Sequence, residues 1–304
     1  MSIDIQKILK KYFSGIYYYI FLFSVFYSFC IAQSHQDSYL DNFNPDSLRY
    51  KSIKVYRSTM NPLINGVMDS SEWEKSHSTS EFFQIGPKEL APPSEKTTVR
   101  VMYDDENLYV FLEAFDSKPD FIKKTLARRD SWMDGFGNNS DWMGVTIDSR
   151  DDDYNGYFCA VNASGAIIDV ALAGNDEYDP TWNAVWDVAI SFNEDGWNAE
   201  FQFPFSMFQF DNRPNMVWGI SFERMIHRLQ ETVEWPGKAK SIRGIMLPLG
   251  ILKGLTNIPN SNQLELVPYL LVGGSNDIDT ETGIDIRYGL TSNSLMKVTF
   301  NPDF

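Results

Sequence analysis

The sequence predicts an all-β chain: an antiparallel, jelly-roll-like β-sandwich over residues 52–255, followed over 256–304 by further strand-like runs. Three observations predict it. Short apolar or alternating runs recur at spacings of about 10 to 15 residues, as in sandwiches and barrels. Polar turn tetrads separate neighbouring runs, as at Asp104-Asp105-Glu106-Asn107, Asn162-Ala163-Ser164-Gly165 and Asn193-Glu194-Asp195-Gly196. Helical periodicity is weak; it predicts one short helix over Pro119–Arg129 and one turn over Phe205–Phe208. With 43% hydrophobic and 15% aromatic residues, the chain can fill a sizeable core.

In chain order, Lys7, Lys10 and Lys11 precede an uncharged, mostly apolar stretch from Tyr12 to Ala32. Cys30 and Ala32 put small residues at −3 and −1 of a cut before Gln33, so residues 1–32 read as a secretory signal peptide, with an uncleaved anchor as the alternative. Phe29 before Cys30 argues against a lipoprotein signal. The chain is then exported, to the periplasm, outer membrane or cell surface. Residues 33–51 are polar, unpatterned and linker-like.

Thr97–Tyr103 alternates, with Val99, Val101 and Tyr103 on one face, and Leu108–Phe115 completes a hairpin across the Asp104–Asn107 turn. Further strand runs are Trp142–Asp148, Gly156–Val161, Ala166–Leu172, Val185–Phe192, Trp197–Phe203 and Val217–Phe222. In the tail, Leu264–Val272 is apolar. Ile284, Ile286 and Tyr288 alternate with polar residues, as do Met296, Val298 and Phe300. The pattern alone fits an extension of the sheet somewhat better than the start of an outer-membrane barrel, because a barrel needs about eight strands.

Lys plus Arg number 26 against 41 Asp plus Glu, a net charge of −15, which excludes nucleic acid as a partner because phosphate binding needs a basic patch. Two cysteines exclude a disulfide scaffold; without Cys30 the chain keeps only Cys159, expected as a buried small residue. His35, His77 and His227 stand apart and read as structural or solvated. No nucleophile elbow, P-loop, zinc-helix or C-x-x-C motif occurs, so no catalytic residue is assigned.

Two features could carry ligand chemistry. Asp148, Asp151 and Asp153, with Asp152 between them, crowd a strand-ending loop. They read equally as ligands for Ca²⁺, which takes six to eight oxygens, and as a solvated acidic turn. The second feature is aromatic. Trp142, Trp186, Trp197 and Trp218 sit in apolar runs and are expected in the core, whereas Trp132 and Trp235 lie in polar, turn-like contexts. An exposed indole stacks on the apolar face of a sugar ring. The expected site therefore lies where Trp132 and Trp235 meet, with Arg129, Asp130, Asn162 and Glu234 as polar partners.

The motif series resembles the family 9 carbohydrate-binding modules. It comprises Ile64-Asn65-Gly66-Val67-Met68-Asp69 with Trp73, Tyr103 to Val110, Ser140-Asp141-Trp142 through Asp148, Phe158 with Val161-Asn162, Gly196 to Glu200, Phe203-Pro204-Phe205, and Trp218-Gly219-Ile220. Arg224 with Arg228, Glu234-Trp235, Leu266 to Tyr269 and Asn301 to Phe304 resemble bacterial secreted proteins that carry this module ahead of an outer-membrane barrel. The resemblance implies a non-catalytic sandwich with bound calcium that holds a saccharide or glycan between two tryptophans, at the positions of Trp132 and Trp235. It also implies that residues 256–304 are the first strands of an incomplete β-barrel, with the outer membrane as a partner of a longer form. Two positions depart from the family's sugar contacts: Ala160 stands in place of an Arg, and Gly144 in place of a Glu. The expected function is a non-catalytic carbohydrate-binding module of a secreted envelope protein, associated with carbohydrate catabolism. The alternatives are a structural periplasmic or surface domain and a part of a glycoside hydrolase.

Overall fold

The computed structural model describes residues 51–174, 177–239, 241–242, 244, 246, 249–259, 264–273, 279–291 and 294–301. They all belong to one compact unit, Pro45–Phe304. The signal-peptide segment, and the linker apart from Lys51, lie outside the described residues.

The strands are β1 (Ser52–Lys54), β2 (Tyr56–Arg57), β3 (His77–Thr79), β4 (Phe83–Gly86), β5 (Thr97–Tyr103) and β6 (Asn107–Phe115). Then come β7 (Trp142–Asp148), β8 (Asn155–Asn162), β9 (Ile167–Ala173), β10 (Glu177–Asp179), β11 (Asp187–Asn193) and β12 (Gly196–Pro204). The last are β13 (Asn215–Ile226), β14 (Glu231–Trp235), β15 (Gly250–Thr256), β16 (Leu264–Gly273), β17 (Asp279–Thr291) and β18 (Ser294–Phe300). Two one-turn helices interrupt them, α1 (Ser70–Trp73) and α2 (Trp132–Gly135).

A nine-stranded sheet runs β1-β15-β13-β7-β8-β9-β10, with β14 pairing both β13 and β4. A six-stranded sheet runs β11-β12-β6-β5-β2, with β3 also on β5. Pairing is antiparallel except at two edges, β1 on β15 and β2 on β5. Strand alternation sends Val99, Val101, Val110, Leu112, Ala199 and Phe201 of the smaller sheet into one core. There they meet Met143, Val145, Cys159, Trp218, Ile220 and Phe222 of the larger. Cys159 is buried there as expected, and burial pushes its thiol well above the usual range. Trp142, Trp186, Trp197 and Trp218 are all buried. Each such indole or phenyl ring removed from water contributes about 1.5–3 kcal/mol or more.

Arg224 bolts the sheets together. Fully buried on β13, it donates to the Lys96 carbonyl (3.0 Å), Thr97 Oγ1 (3.1 Å) and the Phe115 carbonyl (2.8 Å) on the opposite sheet. Burial lowers its pKa to about 10, against the pull of Asp141 and Asp116. Arg228 holds Asp116 at 2.8 Å and also pairs with Glu95.

Both outer faces are covered as well, which is why β7 is buried along its whole length rather than in alternation. On the smaller sheet, the segment ending in α1 lies over Met102, Tyr109 and Phe111 through Trp73, Ile64 and Met68. Glu200 clamps this segment, accepting from Asn65 N and Gly66 N (2.9 Å each) and from Trp73 Nε1 (3.1 Å). A Cβ on Gly66 would come within 2.8 Å of the Ile190 backbone, so only glycine lets the clamp close.

The helix expected over Pro119–Arg129 is corrected: only Pro119–Phe121 makes a single 3₁₀ turn. The segment after it is spent on lateral bonds instead. Lys123 N donates to Asp141 Oδ2 (2.8 Å), and the Lys123 carbonyl accepts from Asp141 N (3.1 Å). The turn at Phe205 is a 3₁₀ turn over Phe205–Met207.

β16, β17 and β18 form a separate three-stranded antiparallel sheet. The described strands do not close a barrel. No described helix is long and apolar enough to cross a membrane.

Candidate functional site

Of the expected site residues, Trp132, Asn162 and Glu234 lie on the outer face of the nine-stranded sheet. Register lays out its rows. Glu234 faces Glu223, Glu223 faces Gly144, and Gly144 faces Ala160. The next row runs Thr232, Met225, Trp142, Asn162. Because facing residues share a side, Glu223, Glu234, Trp142 and Phe158 point away from the core, while Phe222 and Trp235 point into it.

This face is mostly filled. Phe136, Trp142, Phe158, Ala160 and Met225 form a second buried cluster. The small pair Gly144 and Ala160 makes room for it: a Cβ on Gly144 would come within 2.7 Å of the Phe158 ring. Gly144 and Ala160 together therefore let the Phe158 ring fill this part of the face.

Trp132 opens α2 at the rim of this cluster. Its indole lies over Phe136 (6.0 Å, 9°) and meets Trp142 (5.6 Å, 60°) and Phe158 (6.3 Å, 66°) edge-on. It stays 41% exposed. Asn162 holds α2 down, donating to the carbonyls of Gly135 (2.8 Å) and Thr125 (2.9 Å). Its Oδ1 accepts from Ser164 N and Ala166 N (3.0 Å each). The expectation that Asn162 is a ligand partner is corrected: it is fully buried and its amide is used up in the loop.

Arg129 and Asp130 run along the edge of β9. Arg129 Nη2 donates to Asp169 Oδ1 (2.5 Å) and to the Ala184 carbonyl (3.1 Å), while Asp130 Oδ1 accepts from Asp169 N (3.1 Å). Asp169 is fully buried; burial raises its pKa, opposed by the Ala184 amide and by Arg129. Arg129 is thus the counter-ion of a buried acid, and it remains partly exposed.

The expected meeting of Trp132 with Trp235 is also corrected. Trp235 lies on β14, is 2% exposed and packs on Phe222 (5.5 Å) in the core between the sheets. A Cβ on Gly250 would come within 2.3 Å of its ring. Glu234 does face outward but is buried opposite Glu223. Burial raises the pKa of both, Glu223's charge raises that of Glu234 further, and Lys238 opposes the rise.

The acidic loop closes on the Asp148 carboxylate. Asp148 is buried and turned inward, accepting from Arg150 N and Asp152 N (3.0 Å each) and from Asp153 N (2.9 Å). Burial nevertheless lifts its pKa to about 6. Asp151 and Asp153 take left-handed backbone conformations (φ 55° and 54°) that close this turn. No group of three or more His, Cys, Asp or Glu among the described residues could hold a metal ion. The acidic turn, the other reading of this loop, describes what its backbone does.

Sequence reasoning passed over a second concavity, a cleft of ≈ 300 Å³ at the β8–β9–β10 edge, bordered by Arg150, Asn155, Tyr157, Glu177, Asp179 and Gln209. The signal for it was slight: Tyr178, 60% exposed, in a polar stretch too short to read as a strand.

No family model matches the chain, and no curated protein matches it. Among solved structures it resembles a family 9 carbohydrate-binding module from Caldicellulosiruptor kristjanssonii in complex with glucose, with 15% identity over 70% of this chain and 100% of that one (TM-score 0.50). The same organism's module in complex with cellotriose matches over 67% of this chain and 93% of that one, at 15% identity and a TM-score of 0.46. The first likeness establishes a family-9-like sandwich fold.

Proposed function

We propose that the chain is a non-catalytic carbohydrate-binding protein of the cell envelope, in which Trp132 is the stacking platform of the outer-face site. The observation that carries this reading is the mounting of that indole: backed by Phe136, flanked by Trp142 and Phe158, and 41% exposed on a sheet face that is otherwise buried. A ring held this way offers a flat apolar surface at little entropic cost on binding. The fold likeness supports the reading, since the C. kristjanssonii module was seen with glucose. Saccharide binding here would rest on stacking with few polar contacts, because Gly144 and Ala160 supply none and Asn162 is engaged; weak, broad recognition follows. Affinity electrophoresis of the exported chain through gels containing neutral polysaccharides tests it. Retardation should fall several-fold in Trp132→Ala, and unretarded wild-type protein across such gels would reject the reading.

A second observation favours membrane attachment within the same envelope role. On the three-stranded sheet Leu266 faces Ile286, and Ile286 faces Val298. The same side carries Leu264, Leu270, Val272 and Phe300, each more than half exposed. The opposite side carries the Lys297–Asp285 ion pair (3.2 Å). Strands of 10 and 13 residues are long enough to cross the outer-membrane hydrocarbon.

A further inference from the structure

We propose that the cleft at the β8–β9–β10 edge is a second saccharide site, separate from Trp132, that takes one neutral sugar residue. It rests on the carbohydrate-binding reading and deepens it. Register builds the cleft from two rows on the core-side face of the larger sheet: Asn155–Ala173–Glu177 and Tyr157–Ala171–Asp179. Each row reads polar, alanine, polar. The two alanines leave a shallow apolar floor between hydrogen-bonding walls, and Ser149, Arg150 and Gln209 close one end.

Internal bonds fix which way each wall group points. Asn155 spends its amide NH₂ on Asp152 Oδ2 (2.8 Å), so its carbonyl oxygen is left to accept. Gln209 spends its carbonyl oxygen on Arg150 Nη2, so its NH₂ is left to donate. The Tyr157 hydroxyl accepts from Gln209 N (3.3 Å) and keeps its own hydrogen to give. Its ring is held by Trp182 (4.8 Å) and Phe208 (5.4 Å). Asp179 Oδ1 already accepts from Thr181 N (2.9 Å) and Oγ1 (2.6 Å), so its other oxygen is left for a ligand. Donors at Arg150, Gln209 and Tyr157 thus stand with acceptors at Asn155, Glu177 and Asp179 around one apolar floor.

Sugar hydroxyls match such an array, because each both donates and accepts. A simple ion does not: an anion meets Glu177 and Asp179, and a cation meets Arg150. At ≈ 300 Å³ the cleft is at the small end of ligand sites, the scale of one sugar unit rather than a long chain.

The test uses the full chain with ¹³C-methyl alanine, kept in amine-oxide micelles so that no glycosidic detergent competes. Glucose, galactose, xylose and cellotriose are titrated in while the Ala171 and Ala173 methyl signals are followed. Both signals should shift saturably with at least one sugar. Ala171→Trp, which fills the floor, and Gln209→Ala, which removes a donor, should each weaken that binding about tenfold. Trp132→Ala should leave it unchanged. If Ala171→Trp does not fold, Gln209→Ala decides alone. Shifts abolished by Trp132→Ala, or sugar binding that leaves both methyls still, overturn the second site while the carbohydrate-binding reading stands. No binding of any sugar anywhere on the chain overturns both.

Discussion

At the residue scale, the two tryptophans paired by the sequence part company. Trp235→Ala removes a core ring and should cost about 3–5 kcal/mol, as should Trp197→Ala, which is fully buried. Trp132→Ala gives up ring contacts at a half-exposed rim and should cost less, about 1.5–3 kcal/mol. Denaturant unfolding of the three variants separates them, and equal losses at Trp132 and Trp235 would contradict their placement. The paired acids Glu223 and Glu234 make a pH prediction. Their folded pKa values lie above the unfolded ones, so the stability tied to their protonation is present in acid and lost as pH rises through the folded values. Asp148 acts with the same sign, over a window reaching about 6. Stability should therefore fall between about pH 5 and pH 8. Glu234→Gln, which removes the like charge, should flatten that fall; a variant with the wild-type slope would show that the pair does not drive it.

At the scale of elements, the sequence was most readable where both neighbours of a strand lie inside a sheet. β5 and β7 have the bounds read from alternation and apolar runs, and β6 and β8 differ at their ends by a residue. β14 was not readable. Its outward Thr232 and Glu234, followed by Pro236 and Gly237, look like a turn, and only pairing with β13 and β4 reveals the strand. The motifs that suggested the family turn out to be clamps: Asn65 and Gly66 on Glu200, Asp141 on Lys123, Asn162 on Thr125 and Gly135. Residues that fix loops are legible as spacing, whereas a site assembled across strands, such as the β8–β10 cleft, depends on register that no local run reveals. The clamps predict local stability. Glu200→Ala leaves two backbone N–H groups and the Trp73 indole without their acceptor, a loss of about 1–3 kcal/mol for each buried group left unpaired. Hydrogen exchange should rise first over residues 64–73, ahead of β5 and β6; exchange that rises evenly across the sheet would argue against Glu200 as the clamp of that segment.

For the whole molecule, the distribution of apolar surface distinguishes the sandwich from the tail. The sandwich covers both faces of its larger sheet and encloses its tryptophans except Trp132 and the half-buried Trp182, so its exposed apolar groups are scattered. The three-stranded sheet puts most of its exposed leucines on one side and the Lys297–Asp285 pair, with Val267 and Leu271, on the other. An exposed contiguous apolar face of this kind is an interaction surface, and strands of 10 and 13 residues suit a lipid one. A charge placed at the depth of the hydrocarbon costs about 2–4 kcal/mol on the lipid side of a strand and little on the other. Leu266→Arg should therefore reduce flotation of the chain with phospholipid vesicles by an order of magnitude or more. Thr299→Arg, at a position facing Asp285 on the polar side, should leave it nearly unchanged. Sugar binding by the sandwich should survive both substitutions. If the two variants float alike, the apolar side does not face lipid, and the sheet is a docking face for protein instead.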